Sequence, residues 1–306
     1  MRPFYLVVGL TITPFPIAGL AQSPKPPLPV VEVPPNTKVH RGVEYASVGD
    51  RSLQLDLYLP EKATKPLPTI IWIHGGAWRE GARDRYPVRA LSQVPRGYAV
   101  ASISYRFSQE AVFPAQIEDC RSAVRWLRAN AKTYGLDPEH IGVWGASAGG
   151  HLASLLGTAH HVKDWDRGQN LDQSSRVQAV VNFFGPTDFL RMESPENPYK
   201  ATSPKSAESQ LIGGPLKEHP DKVARASPIT YVTKEAAPFL LVFGEKDIGV
   251  APKQGEFLLE PLKKAGVEAT LEVVPGAGHG GKLYDATEVV DRVSAFYDRH
   301  LKPQRK

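Results

Sequence analysis

Gly145-Ala-Ser147-Ala-Gly149-Gly150 stands between an apolar run, Ile141 to Trp144, and a segment with helical periodicity, His151 to Leu156. Its glycines let the backbone make a tight, strained strand-to-helix turn that most side chains would obstruct. The chain repeats this strand-then-helix rhythm from Val43 onward, the pattern of a mostly parallel sheet covered on both faces. Leu53, Leu55, Leu57 and Leu59 alternate with polar residues, as in an antiparallel strand near a sheet edge. Thr69 to His74, Tyr98 to Tyr105, Val177 to Phe184, Pro238 to Phe243 and Thr270 to Val274 read as further strands, giving about eight in all. Pro114 opens a helix in which Ile117, Cys120, Val124, Leu127 and Ala131 recur at helical spacing, and Gly135 ends it. Helices near 252–265 and 287–300 follow. The expected class is therefore α/β.

The 306 residues are 42% hydrophobic and 23% charged, which is globular composition. Residues 1–21 read as a signal peptide: a short basic start, an apolar run, and Gly19 and Ala21 as small cleavage positions, with a retained anchor as the alternative. Residues 22–41 are expected to form a proline-rich tether, and 42–306 one catalytic domain. Within that domain, residues 186–230 are rich in Pro, Ser, Lys and Glu and break the rhythm, as a small insertion over the carboxyl edge of the sheet would. Cys120 is the only cysteine, so no intrachain disulfide forms and the helical pattern places its thiol in the core. The net charge of +5 is mild and basic residues are interspersed with acidic ones, apart from Lys302 to Lys306, so no nucleic-acid partner is expected. No stable membrane span is expected once the signal is removed.

Gly145 to Gly149 fits the GxSxG nucleophile elbow, with Ser147 as nucleophile and the Ala148 amide aimed at a developing oxyanion. About seventy residues earlier, His74-Gly75-Gly76-Ala77-Trp78 follows the strand TIIWI, and its glycines bring backbone N–H groups close to a substrate oxygen. His74 is assigned to positioning that loop. The general base must come late, and His279 in Pro275-Gly-Ala-Gly-His279-Gly-Gly follows the last strand; the other histidines lie outside the expected loops. Asp188 and Asp247 each sit just beyond a strand's carboxyl end. Asp247 is favoured to orient His279 because its strand is the next to last, which leaves Asp188 to bond loop backbone beneath the pocket. Trp78 stacks on substrate or simply packs, and Trp144 is assigned to the core.

HGGAW, SYRFS, the segment Phe113 to Gly157, and the late GEKD and GAGH resemble the bifunctional feruloyl and acetyl-xylan esterase branch of the α/β hydrolases, near the hormone-sensitive-lipase-like carboxylesterases. The resemblance covers roughly 45–300. It implies an eight-stranded α/β-hydrolase fold, no metal or organic cofactor, a triad of Ser147, Asp247 and His279, and an oxyanion hole from Gly75, Gly76 and Ala148. The expected activity is serine carboxylic-ester hydrolysis through an acyl-enzyme, removing acetyl or feruloyl groups from a polysaccharide or small esters outside the cytoplasm. HGGAW departs from the HGGG of the lipase-like branch and matches an HGGxW loop that arylformamidases also use. An aryl-formamide hydrolase is therefore one alternative, and a catalytically silent binding protein on the same fold another.

Overall fold

The computed structural model describes residues 31–84, 89–193 and 199–302. The expected signal peptide, the tether up to residue 30 and most of the basic tail lie outside the described residues.

Eight strands form one sheet: β1 Thr37–Val48, β2 Arg51–Pro60, β3 Leu67–Ile73, β4 Ala99–Ile103, β5 Leu136–Ala146, β6 Ala179–Phe183, β7 Phe239–Gly244 and β8 Ala269–Val274, in the order β1-β2-β4-β3-β5-β6-β7-β8. β1 and β2 are antiparallel, as are β2 and β4, and every other pairing is parallel. β1 corrects the expected tether boundary at residue 41, because Thr37 to His40 already pair with Pro60 to Leu57. The segment was obscured by its polar and bulged pattern: an edge strand need not alternate cleanly when much of it faces solvent. β2 is also buried more fully than its alternation implied, with Asp56 and Tyr58 as inaccessible as the leucines. Asp56 is satisfied there by the Gly42 amide at 2.8 Å and Arg83 Nε at 2.9 Å.

Seven α-helices accompany the sheet among the described residues: α1 Ala115–Ala129, α2 Ala131–Tyr134, α3 Ala148–Thr158, α4 Ala207–Ile212, α5 Pro220–Ala226, α6 Lys253–Lys264 and α7 Thr287–Leu301. The helix expected to end at Gly135 is interrupted at Asn130, and Gly135 closes the last turn in the left-handed conformation. The two faces of the sheet can be read from its small residues. A Cβ on Gly142 would meet Leu301 and Tyr297 of α7, whereas one on Gly157 of α3 would meet Val180 of β6. Val180 pairs with Val143, whose side chain points opposite to its neighbours Gly142 and Trp144. α3 and α7 thus cover opposite faces. Trp144 and Cys120 are fully buried, and Tyr297 Oη reaches through to donate to the Val143 carbonyl at 2.9 Å. No helix among the described residues is long and apolar enough to cross a membrane.

Strand order also places the site. From β3 the chain moves to β4 on one side, then returns to β5 on the other and continues outward to β8. Loops leaving β3 and β5 therefore diverge and open a crevice at the carboxyl edge, where open α/β sheets bind ligands. These two loops are His74–Trp78 and the turn at Ser147.

Candidate active site

Ser147 sits between β5 and α3 with φ 53° and ψ −120°, a backbone conformation that is strained for a serine. Packing enforces it. A Cβ on Gly145 would lie 2.1 Å from the Gly149 carbonyl oxygen, and one on Gly149 would lie 2.0 Å from that of Ile73. The first turn of α3 is pressed against β3 and β5 so closely that only glycines fit. The Ser147 amide donates to the Phe183 carbonyl at 2.8 Å, fixing the elbow to β6.

The structure brings three of the expected residues into one hydrogen-bonded chain. Ser147 Oγ lies 2.8 Å from His279 Nε2, and His279 Nδ1 lies 2.7 Å from Asp247 Oδ2. The other Asp247 oxygen accepts the Gly249 and Val250 amides, each at 2.8 Å, so both carboxyl oxygens are fixed in a buried position. The His279 loop is pinned from below. Lys246 donates its amide to the Ala277 carbonyl at 2.8 Å, and Tyr284 Oη donates to the Gly278 carbonyl at 3.0 Å. Phe184, itself at φ 42°, presents an edge to the imidazole with ring centroids 5.0 Å apart. Asp188 lies apart from this chain, accepting the Leu190 amide at 3.0 Å and Arg191 Nε at 2.7 Å. It has the loop-bonding part expected for it.

Gly75 passes directly against the nucleophile, since a Cβ there would lie 3.2 Å from Ser147 Cβ. Gly76 at φ 115°, Ala77 at φ 54° and Trp78 at φ 57° then form a turn with three successive positive φ values. The amides of Arg79 and Glu80 close it on the Gly76 carbonyl at 3.0 and 3.1 Å. Among the described residues no protein acceptor takes the amides of Gly75, Gly76, Ala77 or Ala148. Ala148 opens α3, where the first amides have no intrahelical acceptor. Gly75, Gly76 and Ala77 line the cleft with Ser147, and Ala148 follows the nucleophile directly. Ala77 was not among the expected donors, because nothing in its residue type announces a left-handed backbone.

His74 holds the loop from underneath: its ring stacks on Tyr105 with centroids 4.6 Å apart, and its Nδ1–H donates to the Gly75 carbonyl at 2.7 Å. Burial lowers its pKa to about 4, which keeps it neutral.

Trp78 is mostly packed inside the protein. The indole is 2% exposed, its Nε1–H donates to His151 Nδ1 at 3.2 Å, and it meets His151 and Phe189 edge on. An indole buried with its N–H satisfied by an inner histidine anchors the loop, and the part of it that remains accessible lines the cleft beside Ser147. His151 Nε2–H donates in turn to the Ala226 carbonyl at 2.7 Å. The imidazole therefore ties the loop after β3 to α3 and to the end of α5 in the insertion, and burial lowers its pKa to about 4. Sequence reasoning missed this link because its partners lie 73 and 75 residues away.

Two lobes of a cleft meet at Ala77, Ser147 and His279. The larger, about 550 Å³, is lined by Trp72, Phe184 and the glycine loops, with Glu80, Arg89, Lys282 and Asp285 also on its wall. The smaller, about 220 Å³, is walled by the insertion through Met192, Tyr199, Ala207 and Glu208. Described residues between 186 and 208 thus line the site.

A nucleophile elbow at a strand-to-helix junction, an acid after β7 and a histidine after β8, all at the carboxyl edge of this eight-stranded sheet, define an α/β hydrolase. Within that class the chain belongs to the BD-FAE family, whose model matches residues 55–262. Esterase LipC of Mycobacterium tuberculosis (strain ATCC 25618 / H37Rv) is 34% identical over 225 residues, which cover 72% of this chain and 55% of LipC. The chain thus spans only about half the length of this curated relative. Among solved structures, a truncated carbohydrate esterase from gut microbiota superposes with a TM-score of 0.78 at 33% identity, covering 86% of this chain and 95% of that one. A bifunctional GH43-CE protein of Bacteroides eggerthii gives a TM-score of 0.75 at 35% identity, over 85% of this chain and 35% of its own.

Proposed function

We propose that the protein is a serine carboxylic-ester hydrolase acting through an acyl-enzyme on Ser147. The observation that carries this reading is the continuous chain from Asp247 through His279 to Ser147 Oγ, at the neck of a cleft lined by unpaired amides. His279 Nε2 accepts the Ser147 proton as Oγ attacks the ester carbonyl, and Asp247 holds the ring in the tautomer that presents a lone pair to serine. The carbonyl oxygen becomes an oxyanion, received by the amide of Ala148 and those of Gly75, Gly76 and Ala77, which are already oriented before reaction. His279 then protonates the departing alkoxide, and water attacks the acyl-serine by the same steps in reverse.

Acetyl or feruloyl esters of a polysaccharide, or small esters, are the proposed substrates. The carbohydrate esterases among the structural neighbours support this class. The composition of residues 1–21 supports action after export, which N-terminal sequencing of the mature protein near Gln22 would test. Turnover of p-nitrophenyl acetate by wild type and its loss by about 10⁴-fold or more in Ser147→Ala test the chemistry. Equal turnover by the two proteins would refute it.

A further inference from the structure

The small lobe contains a buried carboxyl that the chemistry at Ser147 does not use. Glu208 lies in the first turn of α4 in the insertion and is 3% exposed, yet it lines the same cavity as Ser147 and His279. Tyr199 Oη donates to its Oε2 at 2.6 Å, Ser206 and its own amide also hydrogen-bond it, and Arg79, which lines the same lobe, acts on it through space. Burial pushes its pKa above the ordinary glutamate value, against the opposing pull of the hydrogen bonds from Tyr199, its own amide and Ser206 and of the Arg79 charge. A carboxyl held dry without an ion pair is costly, and an apolar side chain would fill the position at less expense. Perturbed carboxyls of this kind concentrate where a ligand is recognised.

The form of the cleft says what that ligand is. An ester with its carbonyl carbon at Ser147 Oγ has two substituents, and the two lobes give each a compartment. At about 220 Å³ the small lobe lies below the size of pockets that hold drug-sized molecules, and so suits a single ring. Pro186, Met192 and Val250 provide apolar walls for the ring's faces. Glu208 provides a hydrogen-bond acceptor, since its two oxygens offer about four lone-pair sites and Tyr199, Ser206 and its own amide occupy fewer than that.

We propose that the small lobe is the subsite for a hydroxyl-bearing ring of the ester, with Glu208 accepting the ring's hydroxyl and Tyr199 fixing the carboxyl for that contact. The inference rests on the hydrolase reading above and assigns the selectivity of the site to the insertion. The hydroxyl has two possible sources, the sugar of an acetylated saccharide or the phenol of a hydroxycinnamoyl ester.

The test compares kcat/KM within two substrate pairs. One pair is a monoacetylated methyl xyloside and tetrahydropyran-3-yl acetate, the same ring without its hydroxyls; the other is methyl 4-hydroxycinnamate and methyl cinnamate. Wild type is expected to favour the hydroxyl-bearing member of one pair by about tenfold or more, and that pair identifies the source. Glu208→Leu and Tyr199→Phe are expected to reduce the preference to less than about threefold, and Glu208→Gln, which keeps an acceptor oxygen, to retain part of it. If Glu208→Leu does not fold, Tyr199→Phe and Glu208→Gln carry the same comparison. Absence of a preference in both pairs, or its survival in Glu208→Leu or Tyr199→Phe, overturns the subsite. Failure of wild type to turn over p-nitrophenyl acetate any faster than Ser147→Ala would instead overturn the hydrolase reading beneath it.

Discussion

Lowering the pH from 7 to 5 is expected to remove about 4 kcal/mol of unfolding free energy through His74 and His151 together. Burial holds both imidazoles near a pKa of about 4, below the ordinary 6.5. Because the folded value is depressed, the unfolded chain takes up a proton from pH 6.5 downward while the native protein takes none until about pH 4. Each contribution is complete above pH 6.5, declines through that window and is lost below about 4. A shift of this size amounts to about 3 kcal/mol per histidine, of which about 2 is gone at pH 5. For His151 the cause is visible: Nδ1 already accepts from Trp78 and Nε2–H donates to Ala226, so a second proton must break the bond to Trp78. Asp119 and Glu208 act in the opposite direction, since burial raises their pKa and acidification favours their folded forms. The diagnostic quantity is therefore a difference in slope. Urea denaturation followed by tryptophan fluorescence at pH 7, 6 and 5 should show His151→Gln declining less than wild type, by about 2 kcal/mol over the range. Equal slopes for the two proteins would refute the buried, neutral assignment of His151.

Asp247→Asn is expected to lower kcat by about 10⁴-fold through the wrong imidazole tautomer, while Asp188→Asn stays within about tenfold of wild type and loses about 1 kcal/mol of stability from its turn. A larger kinetic loss at Asp188 than at Asp247 would contradict the geometry. Trp78→Phe deletes the donor to His151 and loosens a turn whose residues hold positive φ, so kcat should fall by about tenfold or more with KM changed less than about threefold; an unchanged kcat would disconnect Trp78 from the oxyanion loop. Gly149→Ala places a Cβ 2.0 Å from the Ile73 carbonyl oxygen, backbone against backbone. It should cost about 3 kcal/mol or more, read as a lowered melting temperature, and a wild-type melting temperature would show that β3 and α3 are not so close.

Local pattern was enough for most of the fold, because buried parallel strands are apolar runs of fixed length and the helices between them bury one stripe. Seven strands were legible on that basis. β1 was not, because an edge strand that is bulged and partly solvated carries no such pattern. The elbow and the HGG loop were legible for a related reason: where a Cβ would lie about 2 Å from a neighbouring carbonyl oxygen, only glycine is tolerated, and the need is written into residue type. The choice of Asp247 over Asp188 was an inference from strand order, and distances of 2.7 Å to His279 for one and 2.7 Å to Arg191 for the other give it a geometric footing.

The sequence by itself therefore determined the strand-and-helix order, the nucleophilic turn and the loops from which a histidine and an acid had to come. Tertiary structure decided what depends on approach between residues distant in the chain: the burial of Trp78 on His151, the tie from His151 to Ala226, the left-handed amide of Ala77, and the carboxyl of Glu208 in the wall beside Ser147. Such contacts leave no periodicity, since a side chain satisfied across 75 residues looks in the sequence like any other polar residue on a helix.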